Sequence, residues 1–105
     1  MKKIYRKVEP IISKEDFLNR VLSVSRFTSS GGKQYQVIDI EKDVMHFRRL
    51  DANTSIEWPM NLSNVYKAYS ELTDFNTINF KPYVPITHSP ARGLLLYLGL
   101  ISKNI

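Results

Sequence analysis

The sequence predicts a small α+β domain: an N-terminal helix, a three-stranded antiparallel β-meander and two C-terminal helices. Three observations lead there. Apolar residues recur at helical spacing on either side of a central region. That region, Lys33 to Trp58, instead carries alternating and β-branched runs. The connectors between those runs are short, as in a meander of neighbouring strands.

The first helix is expected over about Lys14 to Ser25. Ser13 is a good N-cap, and Asp16 three residues on approximates a capping box. Phe17, Leu18, Val21, Leu22 and Val24 share one face. Glu15 and Asp16 at the start and Arg26 at the end suit the helix dipole. Thr28 to Gly32 is a turn by composition. Lys33 to Ile40 reads as the first strand, with alternation broken at Val37-Ile38 as a bulge or a doubly covered strand would break it. Val44 to Leu50 is the second strand. Thr54 to Trp58 is the third, ended by Pro59.

Asn61, or Ser63, caps the next helix. Leu62, Val65, Tyr66, Tyr69 and Leu72 give it the cleanest amphipathic pattern in the chain. Phe75 to Ile86 holds Pro82 and Pro85 yet is rich in apolar residues. It is expected to wrap over the core, with one helical turn near Thr77 to Phe80, or to lie against a second chain. Ser89 at N-cap and Pro90 at N1 open the last helix, and Gly99 stops it. Its Leu94 to Leu98 run is apolar nearly all round, so it is central to the core or buried against a partner.

At 105 residues the chain is expected to hold a single domain, residues 13–105, preceded by a basic arm at residues 1–12. The net charge of +5 falls wholly in the first third, where eight bases face three acids. A pI near 9.6 and such an arm favour phosphate-bearing or acidic partners. With no cysteine, disulfides, thiolate metal sites and a cysteine nucleophile are excluded. No apolar run approaches the ~20 residues of a membrane span, and the N-terminus lacks a signal peptide's apolar stretch. A cytoplasmic protein without membrane contact is therefore expected.

Several arrangements invite a chemical reading. Ser29-Ser30-Gly31-Gly32-Lys33 resembles a phosphate loop only in part, because Phe27 stands where its first glycine belongs and Gln34 where its hydroxyl belongs. His46 and His88 have no spacing that pairs them or completes a metal site. No catalytic residue, metal or cofactor is expected, and the protein reads as a binding module rather than an enzyme. Its contact residues for nucleic acid would be Lys2, Lys3, Arg6 and Lys7 of the arm, with Lys33, His46, Arg48 and Arg49 of the strands. A sheet face carrying His46 and Arg48 beside Tyr35 would suit backbone contacts and base stacking. On an ordinary exposed face the same residues would form cross-strand pairs, for example with Asp39 or Glu57. His88, Ser89 and Arg92 at the last helix start could hold an anion, or Ser89 could simply cap. Tyr66, Tyr69 and Tyr97 could form a protein interface, or lie at the core edge. The function expected is nucleic-acid binding, DNA or RNA. The alternative is a protein-interaction or homodimeric accessory module.

Overall fold

The computed structural model describes residues 4–29, 31–50 and 56–104. The element order is β1 (Ile4–Lys7), α1 (Lys14–Leu22), β2 (Arg26–Thr28), β3 (Gln34–Glu41), β4 (Val44–Arg49), β5 (Trp58–Asn61), α2 (Leu62–Glu71), α3 (Thr77–Phe80), α4 (His88–Tyr97) and β6 (Ile101–Asn104). The fold is α+β, but its antiparallel sheet has four strands, in the order β2-β3-β4-β5. A second, two-stranded sheet joins β1 to β6. No helix among the described residues is long and apolar enough to cross a membrane.

Two local signals act as the residues dictate. The Ser13 side chain accepts from the Asp16 N–H, and the Asn61 side chain from the Asn64 N–H, so each helix starts where a capping residue stands. Gly99 follows α4 at φ 75°. Its N–H donates to Leu96 O and that of Leu100 to Leu95 O, the paired bonds of a Schellman stop. The register of β3 and β4 shifts between Val37 and Asp39, placing a bulge where the alternation breaks.

Four expectations are corrected. The arm at residues 1–12 is not free over its described part. Residues 4–7 pair with the C-terminal strand, and the Val8 N–H donates to Leu100 O. The first helix stops at Leu22, and Arg26 begins β2, which pairs with β3 through Phe27 and Tyr35. The third strand of the expected meander does not end at Pro59 but runs through it, while residues 51–55 lie outside the described residues. The last helix begins at His88 with Thr87 as N-cap. Ser89 is inside the helix, and Thr87 makes no side-chain cap bond.

Pro59 is tolerated for a reason the register supplies. The Leu62 N–H donates to Asp43 O, which makes Met45–Met60 and Phe47–Trp58 the hydrogen-bonded pairs of the β4–β5 ladder. Pro59, opposite His46, then turns its nitrogen to the outer edge, where no ladder bond is lost.

One face of the large sheet is covered. Phe27, Tyr35, Met45, Phe47 and Met60 lie on it and are buried. Phe27, Tyr35 and Phe47 pack as a ring cluster with centroids 5.2–5.9 Å apart. Over them lie Phe17 and Val21 of α1, Leu62, Val65 and Tyr69 of α2, and Leu94 and Leu95 of α4. Phe75, Phe80 and Val84 belong to the same core, so the wrapped segment packs within its own chain. Gly93 lets α4 cross the end of β2 closely: a Cβ there would lie 2.6 Å from Ser29 Cα.

The two-residue loop Lys42–Asp43 ties hairpin to helices. Ser63 Oγ donates to Asp43 Oδ2 at 2.5 Å, and Lys14 Nζ lies 3.6 Å from the same oxygen. The Ser63 hydroxyl, then the Lys14 charge, hold the Asp43 carboxyl below its ordinary value despite some desolvation.

Candidate nucleic-acid interface

The uncovered face of the large sheet is polar and, at one end, basic. Strand alternation that buries Phe27, Tyr35 and Phe47 must turn their neighbours outward. Arg26 of β2, Gln36 of β3 and Arg48 of β4 therefore form one cross-strand row. Arg48 donates from Nε and Nη2 to Gln36 Oε1, at 3.3 and 3.1 Å. Lys33, exposed, stands at the same end of β3. Arg26, Lys33 and Arg48 make no ion pair among the described residues, and Glu57 pairs with none of them.

The register also sets the spacing of the row. The Val37 N–H donates to Ser25 O, so Arg26–Gln36 is a non-hydrogen-bonded pair. The Leu50 N–H donates to Gln34 O, so Gln36–Arg48 is a hydrogen-bonded pair. Those pair types put Cα atoms about 4.5 and 5.5 Å apart, so Arg26 and Arg48 stand roughly 10 Å apart across the sheet.

The other half of the face is different. His46 Nδ1 lies 2.7 Å from Asp39 Oδ1 across the strands, and Glu41 follows beyond it. His46 is thus engaged by a carboxylate as an ordinary cross-strand pair.

The predicted contact residues are only partly brought together. His46 and Arg48 share the open face, whereas Lys33, exposed, precedes β3 two residues before the inward-facing Tyr35. Tyr35 is buried on the other side, so no stacking ring stands beside His46 and Arg48. Arg49 also points to the covered side. There it lines a cleft of about 160 Å³ with Tyr35, Phe47, Trp58, Ile86, Thr87 and Pro90. Arg6 and Lys7 belong to the small sheet, where Lys7 Nζ donates to Ser70 O. Lys2 and Lys3 lie outside the described residues. Arg26 and Gln36 are not among the contact residues that the sequence predicts. Their signal was the match of Arg26-Phe27-Thr28 to Gln34-Tyr35-Gln36, polar-aromatic-polar on both sides of a glycine turn.

Of the remaining candidates, His88, Arg92, Tyr66 and Tyr69 have structural partners. His88 Nδ1 donates to Pro85 O at 2.9 Å, and the Arg92 guanidinium lies 4.3 Å from the Tyr5 ring centroid. Ser89 is half-buried in the first turn. Tyr69 is fully buried, and its hydroxyl accepts the Ile12 N–H at 3.1 Å. The Tyr66 hydroxyl donates to Ile12 O at 2.9 Å. The two hydroxyls clamp the chain ahead of α1, with Tyr69 buried in the core and Tyr66 half-buried at its edge. Tyr97 is 59% exposed on α4.

Comparison with protein-family models, curated proteins and solved structures finds no match to this chain.

Proposed function

We propose that this protein is a non-catalytic nucleic-acid-binding module that contacts phosphates through the open face of its four-stranded sheet. The observation that carries this reading is the Arg26–Gln36–Arg48 row, two cations without a paired carboxylate among the described residues. Cations left unneutralised on a flat, solvated face attract phosphate and release its counterions on binding. Asp39 and Glu41 confine the contact to the half of the sheet near Lys33, since phosphate would be repelled beyond it.

The test is fluorescence anisotropy with mixed short DNA and RNA at two salt concentrations. Two phosphate contacts predict a roughly 12-fold loss of affinity between 50 and 200 mM salt. A variant carrying both Arg26→Ala and Arg48→Ala should lose most of that dependence. Wild-type affinity in the double variant would refute the assignment.

A second reading, a protein-interaction module, is favoured by the cleft beside Trp58. Its rim carries Ile86, 72% exposed, and a further cleft of about 200 Å³ continues past Ile86 and Thr87 to Tyr83 and Asn64. An apolar rim of this kind suits an apolar side chain from a partner. Association abolished by Ile86→Asp but untouched by the arginine variants would favour this reading.

A further inference from the structure

The cleft beside Trp58 has the parts of a small-molecule site. Tyr35 pairs with Arg49 across β3 and β4, and Phe47 with Trp58 across β4 and β5. Alternation puts these four side chains on the covered face of the sheet. Ile86, Thr87 and Pro90, where the chain enters α4, complete the lining. Two of the lining residues are polar side chains set among rings. Arg49 is half-buried and carries a permanent charge. Thr87 is 4% exposed and stands at the N-cap of α4, yet its side chain makes no cap bond. Its hydroxyl bonds to no other described residue either. Among the described residues no buried side-chain polar atom is sealed off without a partner, so this hydroxyl opens onto the clefts that Thr87 lines. A hydroxyl so placed is costly to leave unbonded, and an acceptor in the cleft would satisfy it. The uncapped start of α4 adds the positive end of a ten-residue helix beside it.

These groups select a ligand. The guanidinium fork matches the two oxygens of a carboxylate, and its one charge answers one anion. The walls of Tyr35, Phe47 and Trp58 suit a ring. The cleft holds about 160 Å³. An apolar cavity of ~150 Å³ takes one benzene ring.

We propose that this cleft binds a small monocyclic aromatic carboxylate, its ring against the aromatic walls and its carboxylate held by Arg49 and the Thr87 hydroxyl. The site shares no residue with the Arg26–Gln36–Arg48 row and stands independently of the nucleic-acid reading.

Trp58 is the chain's one tryptophan and lines the cleft, so its fluorescence reports occupancy. The test titrates the full chain with phenylacetate, with phenethyl alcohol, which keeps the ring alone, and with acetate, which keeps the carboxylate alone. Phenylacetate should change the emission saturably and bind ahead of both others. Arg49→Gln and Thr87→Val should each weaken it about tenfold, with circular dichroism checking that the fold is kept. Thr87→Val removes a hydroxyl that bonds to no described residue, so it reads the site even where Arg49→Gln disturbs folding. Lys67→Ala, which removes an exposed cation on α2, should bind phenylacetate as the wild type does. No saturable response to phenylacetate would overturn the proposal, and with self-association lost in Ile86→Asp it would give the cleft to a protein partner. Unchanged affinity in folded Arg49→Gln and Thr87→Val, or an equal loss in Lys67→Ala, would overturn the site. Phenethyl alcohol binding as tightly as phenylacetate would overturn the role of the carboxylate, and acetate doing so would overturn that of the ring.

Discussion

Replacing Gly93 by alanine should destabilise the protein, although alanine is the better helix former. An added Cβ would sit 2.6 Å from Ser29 Cα, 3.0 Å from Thr28 O and 3.2 Å from Ser29 N. Carbon atoms in contact prefer about 3.5–4.0 Å, so α4 and the end of β2 must part by roughly 1 Å. The neighbour that would have to yield is backbone, and it is pinned. The Ser29 N–H donates to Lys33 O at 2.8 Å, Ser29 O accepts from the Gly32 N–H at 2.9 Å, and Ser29 Oγ accepts from the Lys33 N–H. Moving α4 instead loosens Ala91, Leu94 and Leu95, all fully buried. Overpacking of this kind costs about 1–3 kcal/mol, and contact with backbone belongs at the upper end. The gain in helix propensity offsets about 1 kcal/mol. The expected net loss is about 2 kcal/mol, or a Tm lower by roughly 8–16 °C in a domain of this size. Urea and thermal denaturation followed by circular dichroism would measure it. An unchanged or raised Tm in Gly93→Ala would show that α4 does not depend on this close approach.

Other outcomes follow from the same structure. Gly99→Ala places a Cβ at φ 75° in the Schellman stop and should cost about 1 kcal/mol in urea unfolding. Tyr69→Phe leaves the Ile12 N–H without its acceptor and should cost about 1–3 kcal/mol, readable in the same assay. Asp43 has a folded pKa below its ordinary 3.8. Its stabilisation is therefore complete above that value and fades as pH falls through the folded one. Asp43→Asn should flatten the acid limb of a stability-against-pH curve below about pH 4. Tyr83 has the opposite sign: its hydroxyl donates to Glu71, which raises its pKa from 10.0. That contribution is present below pH 10 and is lost as pH rises through the raised value, so Tyr83→Phe should weaken the alkaline limb's decline.

What could be read from the sequence was whatever local periodicity and capping determine. The helix over Leu62–Glu71 has both an Asn61 cap and an unbroken apolar face, and it folds where they place it. The turn of helix at Thr77–Phe80 and the bulge after Val37 are local in the same way. Elements held by distant partners were not legible. β1 and β6 are four residues each, at opposite ends of the chain, and become strands only by pairing with one another. β2 has three residues, too few to show a period, and its identity as a strand comes from β3. Sequence alone therefore places Arg26 at a helix end and hides the row it forms with Gln36 and Arg48. Arg48 and Arg49 are adjacent in sequence, but alternation sends them to opposite faces, and only Arg48 joins that row. Tyr66 and Tyr69 show the reverse case. Their helical spacing was plain, but their polar tips serve a segment more than fifty residues away.

The outward-turned nitrogen of Pro59 bears on how this protein behaves in a crowd. A sheet with a bare edge is a template on which further copies can add strands, the route to fibres and insoluble aggregates. β5 is such an edge, yet at its middle it has no N–H to give an incoming chain. The opposite edge, β2, is only three residues long and is crossed at its end by α4. The open face can thus stay broad, flat and solvated without the sheet growing sideways. Proline at position 59 gives up nothing in the ladder and removes a foothold for recruitment, so Pro59→Val should leave folding intact while raising the protein's tendency to aggregate.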